Sequence, residues 1–278
     1  MFEILAKNML NQYVTHMVIS APIIAKNAKA GQFVLLRVDE FGERIPLTIF
    51  KSDDARGTIE IIYQKVGVST YKLDQKNKGD YILDVVGPLG KASKLGGYRK
   101  AAIVSGGVGS AIAYPLAKIL NENGCEIDVI LGFRNKDLII LDDEMKKISS
   151  TVEVVTDDGS NGKKGFVTDA LIKKLDAGEK YDVVIAVGPV QMMKAVCDIT
   201  KKNNIKSIVS MTAIMIDGTG MCGGCRLTVA GKTKFACVDG PDFDGDEVDF
   251  DEAINRSRAF KKEEDYSREK YCNLFKGV

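Results

Sequence analysis

Histidine is almost absent: the 278 residues contain one, His16. That all but excludes a triad built on imidazole and a metal site built on several histidines. Neither sign of charge dominates, with Lys+Arg 39 against Asp+Glu 38. Without a basic excess to displace counterions, nucleic acid is not expected as a partner. No apolar run is long enough for a membrane-spanning helix, so no membrane partner is expected either. The opening MFEILAKNML lacks the basic region, long apolar stretch and cleavage site of a secretory signal, which makes a cytoplasmic protein the expectation. Internal repeats and low-complexity tracts are also missing.

What is present is a chain, 45% apolar, long enough for about two domains and an appendage. Residues 1–96 carry short runs rich in Val, Ile and Thr, among them VTHMVISA, GQFVLLRVDE, IPLTIFKS and GTIEIIYQKV, divided by glycine and charged turns. This spacing fits a small antiparallel β-barrel. Over 97–210 the pattern changes. Apolar runs such as KAAIVSG, EIDVILGF, YDVVIAVG and SIVSM alternate with segments at helical spacing, such as AIAYPLAKILNENG and VQMMKAVCDITKKNN. Such alternation predicts an α/β domain with a parallel sheet, an architecture that binds nucleotides. Residues 211–250 form a Gly- and Cys-rich segment, and 251–278 a charged tail with helical character.

Three of the six cysteines crowd into Cys222–Cys237. The order Asp217-x4-Cys222-x2-Cys225-x11-Cys237 is the plant-type [2Fe–2S] spacing, with aspartate where the first cysteine would stand. A carboxylate carries the charge of a thiolate but binds through a harder oxygen. Gly218, Gly220, Gly223 and Gly224 suit a tight loop that turns its donors inward. A zinc site of three cysteines and an aspartate would use the same residue types. Cys125 and Cys197 fall within apolar elements and are expected in the core.

Gly106-Gly107-Val108-Gly109 follows a strand and opens a helix, where backbone N–H groups can meet phosphate. A tight strand-to-helix turn without a ligand would look the same. Gly132-Phe133-Arg134, Asp157-Asp158-Gly159 and Gly188-Pro189 each end a predicted strand, the position at which open α/β sheets bind dinucleotides. An acidic Asp157 would accept from a ribose hydroxyl and repel a 2′-phosphate, favouring NAD over NADP; a solvated acidic turn is the alternative. In the barrel, Pro46-Leu47-Thr48 and Gly67-Val68-Ser69-Thr70 are candidate flavin contacts, through hydroxyls, glycine backbone and an apolar side chain beside a ring.

A barrel followed by SGGVG, GFRNKD, TDDGS and IAVGP, and then by MTAIMIDGTGMCGGCRLTV and FACVDGPDFDG, resembles the ferredoxin-reductase-like flavoproteins. Within them it looks like the electron-transfer subunits of the dihydroorotate dehydrogenase type. Aspartate at 217 makes it most similar to the small subunits of electron-bifurcating NADH-dependent reduced ferredoxin:NADP+ oxidoreductases; the dihydroorotate type would have cysteine there. The resemblance covers most of the chain. It implies FAD lined by Ile45, Pro46, Leu47, Thr48, Ile62, Tyr63, Gln64, Gly67, Ser69 and Thr70. It implies NAD(H) near Gly106, Gly107, Val108, Gly109, Asp157, Gly188, Pro189 and Met192, and a [2Fe–2S] cluster on Asp217, Cys222, Cys225 and Cys237.

It further implies a heterodimer with a larger flavoprotein that carries FAD and [4Fe–4S] clusters and handles ferredoxin and NADP(H). One departure stands out. The wider superfamily has R-x-aromatic-[ST] at the first flavin segment, whereas here Ile45 replaces the arginine, Leu47 the aromatic, and Arg44 comes one residue early. Arg44, Lys65 or backbone amides are left to face the FAD pyrophosphate. Hydride transfer requires placement of two cofactors and no general base, so the scarcity of histidine is no obstacle. A dihydroorotate dehydrogenase subunit is the alternative within this class, and a zinc-stabilised binding module the alternative outside it.

Overall fold

A computed structural model describes residues 1–275. Its first part is built from β1 (Phe2–Met9), β2 (Val14–Ser20), α1 (Pro22–Asn27), β3 (Phe33–Arg37), β4 (Ile45–Thr48), β5 (Lys51–Asp53), β6 (Thr58–Gln64), α2 (Val68–Gln75), β7 (Tyr81–Ile82) and β8 (Asp84–Leu89). Two antiparallel sheets form, ordered β5-β6-β2-β1-β7 and β4-β3-β8. Strand alternation sends Met17 and Ile19, Val34 and Leu36, and Ile59 and Ile61 into one core. Phe33 and Leu35 point the other way and join a second core, shared with the rest of the chain.

Gly67–Thr70, a candidate flavin contact by sequence, forms the cap and first turn of α2. Thr70 Oγ1 accepts the N–H groups of Val66 (3.0 Å) and Gly67 (3.1 Å) and donates to the Gly67 carbonyl, which satisfies donors that a helix start leaves open.

The second part runs β9 (Lys100–Gly106), α3 (Gly109–Glu122), β10 (Glu126–Phe133), α4 (Asp142–Lys146), β11 (Thr151–Thr156), α5 (Val167–Asp176), β12 (Val183–Val187), α6 (Val190–Lys202) and β13 (Lys206–Ser210). These strands are parallel, in the order β11-β10-β9-β12-β13. Successive residues of each strand serve opposite layers. Ala101, Ile103 and Val129 face α3 and α4, while Ala102, Val104 and Ile130 face α5 and α6. Cys125 and Cys197 are buried in these layers, as their apolar settings predict. The order places the topological switch between β9 and β12, and both strands end there in glycine loops.

The chain then leaves the sheet at Met211, forms the hairpin β14 (Arg226–Val229) and β15 (Lys232–Phe235), and returns as β16 (Asp242–Asp244) antiparallel to β13. The cysteine loop is thus pinned at both ends to one sheet edge. The charged tail folds as α7 (Phe250–Ser257) and α8 (Lys261–Phe275). Asp249 caps α7 by accepting the Glu252 N–H, and α8 lies against α2. Among the described residues no helix is long and apolar enough to cross a membrane.

Candidate functional site

A cleft of ≈ 1070 Å³ opens along the carboxyl ends of the parallel strands and continues onto the barrel. Its floor is the switch point, made by Gly106–Gly109 and Gly188–Met192. Glycine is required here by contact. A Cβ on Gly109 would lie 2.5 Å from the Val187 carbonyl oxygen, because α3 starts against the end of β12. Gly107 is different: its φ of +57° is left-handed, and nothing stands within 4 Å of a Cβ built there. Backbone is therefore presented bare to the cleft, as close approach to a pyrophosphate demands.

Of the residues singled out by sequence, Gln64, Gly106, Gly107, Val108, Gly109, Asp157, Gly188, Pro189 and Met192 line this one cleft. The acidic pair after β11 divides. Asp157 lines the cleft, whereas the carboxylate of Asp158 turns back to Ser160, whose hydroxyl and then its N–H, at 2.9 Å, hold it below the usual carboxylate range.

The other barrel candidates stand outside the cleft lining. Ile62 and Tyr63 are buried, and the Tyr63 hydroxyl reaches Asp74 at 3.4 Å. Ser69 and Thr70 are buried in α2, with the Thr70 hydroxyl spent on capping. Along β4, Ile45 and Leu47 pack on the barrel core. Pro46 pairs with Leu35 and Thr48 with Phe33, so these two share the outward face of the small sheet. That face packs into the core that also holds Cys225 and Cys237.

Several cleft residues carry no sequence signal of their own, because they come from segments remote in sequence: Tyr13, Tyr71, Phe166, Ser210, Thr212 and Arg268. The cations are informative. Arg44 is exposed and reaches the Ile216 carbonyl at 3.5 Å, toward the cysteine loop and outside the cleft lining. Lys65 lines the cleft but pairs with Asp74 at 3.2 Å, and Asp74 also meets Lys7. Burial would raise the Asp74 carboxyl, but hydrogen bonds from Thr15 and Lys65 and the charge of Lys7 hold it below its ordinary value.

The cysteine loop groups its donors in two pairs. The carboxylate of Asp217 accepts the N–H groups of Thr219 (2.8 Å) and Cys222 (2.7 Å). These bonds, that of Thr219 first, lower its pKa. Cys225 and Cys237 are both 1% exposed, and the Cys237 N–H points at the Cys225 sulfur at 3.4 Å. Burial, then the neighbouring thiol, pushes Cys237 up to about 12. Binding a metal there would take the proton from the Cys237 thiol.

Among the described residues no group of three or more such side chains gathers around a single ion. Four donors are the number a [2Fe–2S] rhomb needs, since each iron takes two terminal ligands. The cradle is glycine-built: Gly218, Gly220 and Gly223 have φ of +75°, +81° and +66°. Arg226 and Arg256 donate to the Gly223 and Gly224 carbonyls at 3.1 and 3.0 Å and fix the loop from outside. In donor chemistry and backbone the loop fits the cluster.

Comparison with known proteins agrees with this division. Residues 212–249 match the iron–sulfur cluster binding domain of dihydroorotate dehydrogenase B, and residues 103–198 the oxidoreductase NAD-binding domain. A Thermotoga maritima homologue of the electron transfer subunit of dihydroorotate dehydrogenase B (NAD(+)) is 46% identical, over 97% of this chain and 95% of that one. The electron transfer subunit of Fusobacterium nucleatum is 36% identical, over 80% and 87%. A solved structure of an NADH-dependent reduced ferredoxin-NADP oxidoreductase, described for its flavin-based electron bifurcation, superposes with a TM-score of 0.91 at 45% identity, covering 97% of both chains.

Proposed function

Since the chain belongs to the family of dihydroorotate dehydrogenase B electron-transfer subunits, we propose that it is the NAD-linked small subunit of an electron-bifurcating NADH-dependent reduced ferredoxin:NADP+ oxidoreductase. One observation supports the electron-transfer role, and Asp217 supports the choice within the family. The cleft wall and the cysteine loop are continuous: Ser210 and Thr212 line the cleft, while Met211 and Met215 pack in the core with Cys225 and Cys237. A redox group in the cleft would therefore sit one layer of side chains from a cluster. When bound, FAD exchanges a hydride with NAD(H) and single electrons with a [2Fe–2S] cluster, which serves a larger flavin and iron–sulfur partner.

The chain's own residues place these groups. Residues 97–210 form the NAD unit, where Gly106–Gly109 and Gly188–Met192 receive the dinucleotide and Asp157 accepts from its adenosine ribose. Residues 1–96 form the FAD unit. There Pro46 and Thr48 stand on the face nearest the cysteine loop, while Gln64 lines the cleft and Gly67–Thr70 shape the start of α2, Thr70 through its cap and Ser69 from within the helix. Ile45, Leu47, Ile62 and Tyr63 support that site from the barrel core. Asp217, Cys222, Cys225 and Cys237, in 211–250, ligate the cluster. Asp217 favours this assignment over a dihydroorotate dehydrogenase subunit, whose family pattern has cysteine there. The iron–sulfur domain match weighs against the zinc-stabilised module.

Isolation of the native complex without oxygen tests the proposal. It should contain this chain with a larger flavoprotein, hold FAD and iron on this chain, bleach with NADH, and couple NADH and NADPH to ferredoxin. Companionship with a dihydroorotate-oxidising subunit, or a colourless zinc protein, would overturn it.

A further inference from the structure

Neither cation that the sequence offers for the flavin pyrophosphate is well placed for it. Arg44 turns to the Ile216 carbonyl, and Lys65 is already matched by Asp74. Among the described residues the cleft has one further cation on its barrel side, Arg268 of α8. Helix α8 packs against α2, with the rings of Tyr71 and Tyr271 6.5 Å apart and the Tyr271 hydroxyl 3.3 Å from Gln75 Oε1. Tyr71, in the first half of α2, lines the cleft, and so does Arg268, one helical turn before Tyr271. The side chain of Arg268 donates through one nitrogen to Asp265 at 2.9 Å, but Lys261 also meets that carboxylate at 3.0 Å. One anion is thus set against two cations, and the guanidinium keeps most of its donors for the cleft.

We propose that α8 is a strap across the flavin side of the cleft, and that Arg268 binds the pyrophosphate of the FAD held at the start of α2, replacing the arginine that the barrel lacks at Ile45. The physical case is one of reach and charge. The first turn of α2 presents backbone N–H groups but no cation, and a pyrophosphate carries two negative charges that dipoles alone match poorly. An arginine fork on a docked helix supplies paired donors at a fixed height above that turn. The tail is then both held by the barrel and closed over the cofactor that the barrel holds.

This inference rests on the proposed FAD site, and the test separates the two. FAD retention is measured in the full chain, by free-flavin fluorescence on dilution, alongside an NADH titration. Arg268→Ala should weaken FAD binding roughly tenfold, the scale of a charge-assisted hydrogen bond, with NADH affinity unchanged. Arg268→Lys should recover part of the loss, and Lys262→Ala, which removes an equal charge from the same helix at a residue outside the cleft lining, should keep wild-type retention. Circular dichroism confirms that each variant is folded. Equal retention in wild type and Arg268→Ala, an equal loss in Lys262→Ala, or a change in NADH binding alone would overturn the role of Arg268. A wild-type chain with no FAD would instead overturn the proposed function.

Discussion

As a ligand of the proposed cluster, Asp217 would serve two roles. Its oxygens hold the loop through Thr219 and Cys222, and each keeps a lone pair for a metal. Asp217→Cys should retain the cluster, because a thiolate is the commoner ligand, and should shift its reduction potential, because ligand softness and hydrogen bonding set that potential. A redox titration followed by electron spin resonance checks this; a potential and signal identical to wild type would show that Asp217 is not a ligand. In the cleft, Asp157 faces the cavity while Asp158 is committed to its own turn. Asp157→Ser should therefore raise the NADPH/NADH ratio of kcat/KM, and Asp158→Ser should leave it alone. The ratio is read in steady-state reduction of an artificial acceptor, and an unchanged value for Asp157→Ser would remove Asp157 from the ribose site.

At the scale of elements, the switch point is a junction in which α3 begins against the end of β12. Gly109→Ala would drive a Cβ to within 2.5 Å of the Val187 carbonyl, a rigid backbone contact. Overpacking of this kind costs roughly 1–3 kcal/mol, and it should also spread the nucleotide loop. Denaturant unfolding and NADH titration would report both losses, while Gly124→Ala, at the open end of α3, should disturb only stability, through its φ of +76°. These elements were legible because each is long and strongly patterned. The parallel strands are nearly continuous apolar runs, and α3 and α6 repeat at helical spacing. Others were hidden. Helix α2, VSTYKLDQ, is poor in helix formers and is held by the Thr70 cap. Strand β16 is three residues in an acidic, glycine-rich stretch, and only pairing with β13 reveals it. The same logic divides the site. Local motifs, the glycine loop and the cysteine spacing, could be read in order along the chain. Tyr71, Thr212 and Arg268 reach the cleft only because the fold brings remote segments together.

In the whole molecule the barrel, the parallel sheet and the cysteine segment meet at Asp242. This residue opens β16, pairs in register with Ser210 at the end of β13, and accepts the hydroxyl of Ser93 from the stretch that joins the barrel to the sheet. Its carboxyl is buried, and Oδ1 has no hydrogen-bond partner among the described residues. Burial raises its pKa, opposed only by the hydroxyls of Ser93 and Ser210. A carboxyl with a raised folded-state pKa contributes stability that is complete below the unfolded value and is lost as pH climbs through the folded one. Glu60 and Asp74 have the opposite sign, lowered by His16 and by Thr15 and Lys65, so they add stability as pH rises out of the acid range. The pH dependence of the wild type mixes both kinds and identifies neither. Asp242→Asn isolates one: the amide oxygen still accepts from Ser93, while the charge is gone. The variant's melting temperature, relative to wild type, should rise steadily as pH goes from the aspartate range toward neutrality, by a few degrees for roughly 1–2 kcal/mol of relieved burial. Calorimetry across that range decides it. A difference that stays constant with pH would mean that the three parts of the molecule meet at a group that never takes up charge.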